Sequence, residues 1–214
     1  MKPVLFWMAV ATSCMAQVAV PANRNYQTEK QRADVAKNLT GAKRDKEQAP
    51  ETLVAAMKLS PGETVGDIGT GVGYMLPYLS AAVGGRGKVV AEDIFPDFLD
   101  KARAGARSKG LTNVEFVQGM ETDPHFAANS LDAALMLEVY HHLNYPDKML
   151  AAIRAAMKDG GRLFVVDFHK EPGSDHIRAD EDQVIAEVEA GGFRLASKSE
   201  RPGGRQYMAV FEKK

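Results

Sequence analysis

The segment VGDIGTGVGY, residues 65–74, restricts the possible folds more than any other stretch of the chain. A short apolar run ends at Asp67, and glycines follow at alternate positions, Gly69, Gly71 and Gly73. Glycines between a strand and a helix let the backbone approach a ligand closely and direct its N–H groups at it. The segment therefore predicts a strand, a binding loop and a helix, rather than a tight turn that binds nothing.

The spacing of these glycines also indicates the kind of ligand. A dinucleotide-binding loop has the pattern G-x-G-x-x-G, and Tyr74 occupies the place that the third glycine would need. This spacing disfavours a pyrophosphate seated on the helix. It favours a smaller zwitterionic ligand, whose amino and carboxylate groups could meet Asp67 and the loop amides.

A pair of acids, Glu92 and Asp93, ends the next predicted strand, with Asp93 20 residues after Gly73. A carboxylate at this strand tip can accept hydrogen bonds from both hydroxyls of a ribose. We expect Asp93 to do so and rank Glu92 second, because adjacent side chains of a strand point to opposite faces. The alternative is a solvated acidic pair at the start of a helix.

Strand-like and helical segments alternate through most of the chain. Apolar runs such as LDAALML and RLFVVDF are almost continuous, as in strands covered on both faces. Strands are predicted at 64–68, 88–92, 114–117, 131–137 and 162–167, and helices at 74–83, 96–109 and 146–157, the last stopped by Asp159-Gly160-Gly161. This alternation predicts a parallel sheet with helices on both sides. After a helix at 181–190, FRLASKS and RQYMAVFEK flank the turn-rich ERPGG, which predicts a closing antiparallel hairpin.

Residues 1–16 predict a cleaved export signal. Lys2 precedes an apolar stretch too short to span a bilayer, and Cys14-Met15-Ala16 resembles a signal-peptidase site. The predicted location is periplasmic or secreted, without stable membrane insertion. A lipoprotein anchored through Cys14 and a buried N-terminal helix are the alternatives. Residues 17–48 predict a polar extension with a helix near 27–39 that lies over the remaining domain, 49–214.

Charge and cysteine content argue against nucleic-acid partners and against sites that depend on cysteine. The formal net charge of −1 provides no basic field for nucleic acid, so duplex DNA or RNA is not expected as a partner. Cys14 is the only cysteine, and its removal with the signal would exclude disulfides, thiolate metal sites and a cysteine nucleophile.

Five segments, VGDIGTGVGY, EDIFPDFLDKAR, NVEFVQG, SLDAALMLEVYHHL and MKDGGRLFVVDF, stand in the order of a known motif series. From Pro50 to Phe211 the chain resembles the class I S-adenosylmethionine-dependent methyltransferases. RDKEQAP and YHHL resemble, more narrowly, a group of exported bacterial methyltransferase-domain proteins. The resemblance implies a methyltransferase domain at 49–214 with an α/β fold: a Rossmann-like seven-stranded sheet with helices on both faces and an antiparallel C-terminal hairpin. It also implies S-adenosylmethionine as the cofactor.

The resemblance assigns cofactor-binding roles to Asp67, Gly69, Gly71, Gly73, Asp93, Ile94, Met120, Glu121 and Glu138. The first four would surround the methionine moiety, with Glu138 beside it. Asp93 would bind the ribose and Ile94 would lie beside the adenine. Met120 and Glu121 stand where the family often has an Asp that contacts the adenine amino group, so that Met120 could pack on the purine while Glu121 takes the polar role.

Methyl transfer requires an aligned acceptor and the exclusion of water, and a general base helps when the acceptor is a hydroxyl or a protonated amine. In this fold the acceptor approaches over the carboxyl ends of the fourth and fifth strands. The catalytic candidates there are Tyr140, His141, His142, Asp167 and His169. One histidine of the adjacent pair could instead be structural. We predict no metal site, because neighbouring side chains should diverge and further ligands would be needed from Asp167, His169 or His176.

Three functions compete. The first is S-adenosylmethionine-dependent methyl transfer to an unidentified, small-molecule acceptor. The second is a non-catalytic protein that binds S-adenosylmethionine or S-adenosylhomocysteine, which is favoured by Met120 and by an export signal on a chain that needs a cytosolic cofactor. The third is a nicotinamide-dependent oxidoreductase, which Tyr74 and the terminal hairpin disfavour.

Overall fold

The computed structural model describes residues 17–214. The predicted export signal, with the alternative of lipidation at Cys14, lies outside these residues. The helices are α1 Glu29–Ala36, α2 Ala42–Gln48, α3 Pro50–Met57, α4 Leu76–Val83, α5 Pro96–Ser108, α6 Pro146–Ala156 and α7 Glu181–Ala190. The strands are β1 Thr64–Ile68, β2 Lys88–Asp93, β3 Val114–Gln118, β4 Leu131–Leu137, β5 Met157–Phe168, β6 Phe193–Glu200 and β7 Gln206–Lys213. Short 3-10 helices cover Ala22–Tyr26 and Tyr140–His142.

These strands form one sheet in the order β3-β2-β1-β4-β5-β7-β6. Strands β1 to β5 run parallel, and β7 lies antiparallel between β5 and β6. The predicted α/β fold with a closing antiparallel hairpin is therefore confirmed. The chain leaves β1 towards β2 and β3 and returns to β4 on the other side of β1. The carboxyl ends of β1 and β4 thus flank the switch point at which sheets of this kind bind ligands.

Alternate residues of the central strands contribute to two hydrophobic cores, one on each face of the sheet. In β4, Ala134 and Met136 belong to the core that includes residues of α6 and α7. Ala133 and Leu135 belong to the core that includes residues of α3 and α4. This division follows the two-residue period of a strand. Because both faces are covered, the strands appear in the sequence as nearly continuous apolar runs.

The polar segment 17–48 differs from the single helix predicted near 27–39. It contains a 3-10 helix and then α1 and α2, and a capping box at Thr28 starts α1. Three ion pairs tie it to the domain, and the first joins Nη2 of Arg24 to Oδ2 of Asp175 at 2.6 Å. The Nε of Arg32 donates to Oδ1 of Asp97 at 2.9 Å, and Nη1 of Arg44 donates to Oε2 of Glu138 at 2.8 Å. The segment therefore lies over the carboxyl end of the sheet.

The start of β5 also differs from the prediction. Helix α6 ends at Ala156, and the strand begins at Met157 rather than after Gly160-Gly161. Met157 pairs with Leu131, and regular pairing resumes at Arg162 after a shift in register. The two glycines therefore belong to an irregular part of the strand instead of a turn before it. Among residues 17–214 no helix combines the length and the hydropathy needed to cross a bilayer.

Candidate active site

The carboxyl ends of β1, β2 and β4 open into a cavity of about 700 Å³. Its walls come from the glycine loop after β1, the acids that end β2, the turn after β4, and the segment 17–48. Small-molecule and cofactor sites commonly have volumes of about 300–1,000 Å³. The cavity is therefore large enough for a cofactor together with a small second ligand.

Gly69 and Gly71 form the part of the wall that follows β1. Their φ angles of 63° and 57° lie in the left-handed region, in which a side chain is strained. A Cβ atom on Gly69 would also lie 2.6 Å from Cγ2 of Val139. The N–H of Gly69 donates to Oε2 of Glu92 at 3.1 Å, and that of Gly71 donates to Oδ2 of Asp93 at 2.9 Å. The loop amides and the acids of β2 therefore face each other.

Three acids around this loop, Asp67, Glu92 and Asp93, are buried. None of them forms a salt bridge within the described part of the chain, although Arg44 acts on Asp67 from a distance. Burial raises the pKa of Asp67 to about 7 and that of Asp93 to about 6, and it raises the pKa of Glu92 well above its usual range. Because burial disfavours their charged forms, these acids would be stabilised as carboxylates by a cationic ligand.

Not all of the predicted cofactor residues reach the cavity in the same way. The expectation that Glu92 points away from the site is wrong, because both acids contact the loop; Asp93 is the last residue of β2, where strand alternation ends. Asp67 and Gly73 are not among the residues that line the cavity. Asp67 accepts a 2.6 Å hydrogen bond from the Thr70 hydroxyl and so holds the loop. A Cβ atom on Gly73 would lie 3.1 Å from that of Ala102, so this glycine allows α5 to pack closely.

Only some of the residues predicted near the adenine line the cavity. Ile94 and Glu121 line the cavity, whereas Met120 does not and is 51% exposed. Glu121 accepts hydrogen bonds from Nδ2 of Asn144 at 2.8 Å and from Nε2 of Gln17 at 3.2 Å. The packing role suggested for Met120 therefore has no support from its position, while Glu121 is placed for a polar role.

Glu138, at the end of β4, connects the domain to the N-terminal segment. Its φ angle is 57°, an unusual value for a residue with a side chain. Its carboxylate accepts hydrogen bonds from Nη1 of Arg44, from Nε2 of Gln48 at 2.6 Å and from Nε2 of Gln206 at 2.5 Å. The guanidinium of Arg44 also lies 4.9 Å from the centroid of the Tyr74 ring. Arg44 and Gln48 were not predicted as site residues, although both lie in RDKEQAP, a segment that resembles exported methyltransferase-domain proteins.

The turn after β4 places two histidines at the cavity wall. Nδ1 of His141 lies 2.6 Å from Oδ1 of Asp167, and its backbone N–H donates to Oδ2 at 3.0 Å. Nδ1 of His142 lies 2.9 Å from Oδ1 of Asn23, a residue of the N-terminal segment that the sequence did not indicate. The Tyr26 ring packs edge-on against that of His142, with centroids 4.9 Å apart. Both histidine rings are thus held in position by neighbouring side chains.

The prediction that the His141 and His142 side chains diverge is wrong. Their ring centroids are 4.1 Å apart, and the ring of His176 lies 5.0 Å from that of His141. The prediction assumed strand-like alternation, but these residues form a 3-10 turn, in which successive side chains are not on opposite faces. Burial and the two neighbouring imidazoles lower the pKa of His142 well below its usual value, so that it is neutral at physiological pH.

Two of the predicted catalytic candidates lie away from the cavity wall. Tyr140 is buried in the core, and its hydroxyl donates to Oε2 of Glu187 at 2.9 Å. His169 lies between two acids, with Nε2 at 2.9 Å from Glu200 and Nδ1 at 3.4 Å from Glu181. Of the five candidates, only His141 and His142 line the cavity, with Asp167 behind the first of them.

Comparisons with known proteins agree with this geometry. Residues 66–165, which lie inside the predicted domain, match a family model described as a methyltransferase domain. The crystal structure of a SAM-dependent methyltransferase from Aquifex aeolicus is 29% identical and superimposes with a TM-score of 0.77, covering 84% of this chain and 96% of that one. The chain is thus similar to the class I S-adenosylmethionine-dependent methyltransferases, in sequence over residues 66–165 and in fold over most of its length, and this similarity implies S-adenosylmethionine as the cofactor.

Within this class, the chain is similar to ubiquinone/menaquinone biosynthesis C-methyltransferases named UbiE. The Vibrio cholerae protein is 31% identical over 152 residues, which cover 66% of this chain and 58% of that protein. The Escherichia coli protein is 34% identical over 150 residues, covering 65% and 60%. The chain thus spans less than two thirds of the length of these relatives. The [4+2]-cyclase SpnF, at 19% identity and a TM-score of 0.66, shares the fold alone.

Proposed function

We propose that this chain transfers the methyl group of S-adenosylmethionine to a small-molecule acceptor bound beside His141 and His142. The observation that carries the proposal is the pair of buried acids, Glu92 and Asp93, which line the cavity beside the glycine loop at the switch point of the sheet and form no salt bridge within residues 17–214. S-adenosylmethionine carries a sulfonium and an ammonium group, and this donor set suits a cation. Asp93 would bind the ribose, and the backbone of the Gly69–Gly71 loop would lie beside the methionine end.

When bound, the cofactor supplies a methyl group that its sulfonium already activates, so the protein has to position the acceptor and exclude water. Tyr26, Asn23 and Arg44 line the cavity from the N-terminal segment, which supports a role for that segment in excluding water. The Nδ1 contact with Asp167 leaves Nε2 of His141 for the acceptor. In this position His141 can accept a proton from an acceptor hydroxyl, with Asp167 fixing its tautomer.

The residues that line the cavity near His141 support the proposal of a small, largely uncharged acceptor. The cavity wall includes Tyr26, His142 and Phe168, which offer aromatic faces. The net charge of −1 argues against nucleic acid as the acceptor. Because the UbiE relatives are named for ubiquinone and menaquinone biosynthesis, a quinone precursor belongs in any acceptor panel.

Calorimetry with S-adenosylmethionine and S-adenosylhomocysteine tests the first step. We expect saturable binding of both, and no measurable binding of either would refute the proposal. Transfer of a labelled methyl group to small-molecule fractions tests the second step. We expect His141→Gln to lower the rate of transfer while leaving cofactor affinity unchanged, because His141 faces the acceptor. Binding without any labelled product would favour the alternative of a non-catalytic cofactor-binding protein.

We also propose that the chain is exported to the periplasm or secreted. Lys2 and the apolar stretch that follows it support this location, and lipidation at Cys14 is the alternative. N-terminal sequencing of the protein from cell fractions tests the proposal. We expect a mature chain beginning at Gln17 in the exported fraction, whereas an intact N-terminus in the cytosol would contradict it.

A further inference from the structure

Three histidines converge at the acceptor side of the cavity. His141 and His142 belong to the turn after β4, and His176 belongs to the loop between β5 and α7. Each offers a ring nitrogen, and these three atoms all lie within 4.8 Å of one another. In a tetrahedral zinc site with Zn–N distances of about 2.0–2.1 Å, ligand nitrogens are separated by about 3.3 Å. Small side-chain rotations would therefore bring the three nitrogens to coordination distance.

We propose that His141, His142 and His176 bind one divalent transition-metal ion of the zinc type. Imidazole nitrogens suit zinc, iron, nickel and copper ions, and three histidines with an open fourth position are typical of catalytic zinc. All three histidines line the cavity, so a fourth ligand can come from a bound small molecule. The ion site is separate from the glycine loop and the acids of β2.

The hydrogen bonds behind two of the histidines are those expected of metal ligands. Nδ2 of Asn23 donates to the carbonyl oxygen of His142 at 3.0 Å, which turns its Oδ1 towards Nδ1 of the same histidine. Nδ1 of His142 is therefore the protonated nitrogen, and Nε2 keeps its lone pair. The carboxylate of Asp167 fixes the same tautomer in His141. Metal-binding histidines almost always donate their second ring N–H to a carboxylate or carbonyl in this way.

A second group of potential ligands, His169, Glu181 and Glu200, lacks these features. Both ring nitrogens of His169 face carboxylates, at 3.4 Å and 2.9 Å. Lys198 also contacts this group, with Nζ 2.9 Å from Oε1 of Glu181. The potential ligand atoms of this group are therefore already engaged with each other and with a lysine. This group serves as the comparison for the three-histidine site.

The role of the ion rests on the proposed function, whereas its binding does not. In the ion-bound protein His141 is a ligand and no longer accepts a proton. An acceptor hydroxyl on the fourth position would lose its proton to solvent, because coordination lowers the pKa of a bound hydroxyl. The ion would thus hold the acceptor oxygen beside the site of methyl transfer.

The test uses the full chain after treatment with a chelator. Titration with Zn²⁺ by calorimetry and with Co²⁺ by visible absorption should give one ion per chain, with the intense Co²⁺ bands of a tetrahedral site. We expect His176→Ala to weaken binding by more than about 100-fold, since it removes a ligand on an exposed loop, and Asn23→Ala to weaken it by about 10-fold. His169→Ala is the matched control and should leave the affinity unchanged.

Binding that does not saturate, or that survives His176→Ala, would overturn the proposal. Loss of binding in His169→Ala instead would assign the ion to the group of His169, Glu181 and Glu200. Titration of the metal-free protein with S-adenosylmethionine separates the two proposals. Cofactor binding without metal binding refutes only the metal site, and metal binding without cofactor binding refutes only the methyltransferase function.

Discussion

Substitution of Asp93 by Asn should change the pH dependence of stability and weaken cofactor binding. The pKa of Asp93 rises from 3.8 to about 6 in the folded protein, chiefly because the carboxyl is buried. A pKa difference of this size changes the free energy of unfolding by about 3 kcal/mol. Because the folded pKa is raised, the stabilisation is complete below the unfolded pKa and is lost as the pH rises through about 6. Asn at this position does not titrate, so the variant does not undergo this loss.

The amide of the Asp93→Asn variant also lowers the free energy of unfolding by an amount that does not depend on pH. The Asp93 carboxyl accepts hydrogen bonds from the backbone N–H groups of Gly71 and Phe95 through different oxygens, and Asn has only one accepting oxygen. The lost bond destabilises the variant by about 1–3 kcal/mol at every pH. The diagnostic quantity is therefore the pH dependence. Between about pH 4 and pH 8, the free energy of unfolding of the variant should improve relative to the natural protein by about 3 kcal/mol. Burial and, after it, repulsion from Asp93 raise the pKa of Glu92, and relief of that repulsion acts in the same direction.

Urea unfolding followed by circular dichroism across this pH range measures the effect. Asp100→Asn is the control, because Asp100 lies on the exposed side of α5 and pairs only with Arg103 within the described residues, at 2.9 Å. The same variant at position 93 should bind S-adenosylmethionine about 10–100-fold more weakly near pH 8, since hydrogen bonds to a charged acceptor are worth about 1.5–3 kcal/mol. Unfolding curves with the same pH dependence, or unchanged cofactor affinity, would refute the reasoning.

Three further substitutions test the fold around the site. Gly69→Ala should lower the free energy of unfolding by about 1–3 kcal/mol, because its Cβ meets Val139 at 2.6 Å and the φ angle is positive, and calorimetry should show loss of cofactor binding. Gly105→Ala, in α5 with open space at its Cβ position, should instead stabilise the protein by about 0.5–1 kcal/mol in urea unfolding. Tyr140→Phe should lower stability by about 1–2 kcal/mol through loss of the bond to Glu187, with methyl transfer unchanged; a large loss of activity in a folded variant would return Tyr140 to the catalytic candidates.

The sequence by itself determined the sheet and the position of the cofactor loop. The alternation of apolar runs with helical segments predicted the parallel strands, and the turn-rich ERPGG predicted the hairpin. The glycine spacing and Asp93 predicted the loop that lines the cavity. These features are local: backbone conformation, strand periodicity and turn chemistry depend on residues that are neighbours in the chain.

Contacts between residues far apart in the sequence could not be predicted in this way. Arg44 and Glu138 are separated by 94 positions, and Asn23 and His142 by 119. No periodicity or spacing relates such pairs, because they meet only when the N-terminal segment folds over the sheet. In the sequence these polar and charged side chains look like ordinary surface residues, whereas in the structure they form part of the cavity wall.

For the histidines, too, the sequence predicted the position along the chain and only the tertiary structure showed the contacts. The sequence determined that His141 and His142 follow the fourth strand at the carboxyl edge of the sheet. Only the tertiary structure decided that their rings converge with that of His176, that Asp167 fixes the tautomer of His141, and that the neighbouring Tyr140 turns into the core. The physical reason is that a single 3-10 turn does not by itself assign consecutive side chains to the core or to the cavity, and packing against other elements decides the surroundings of each.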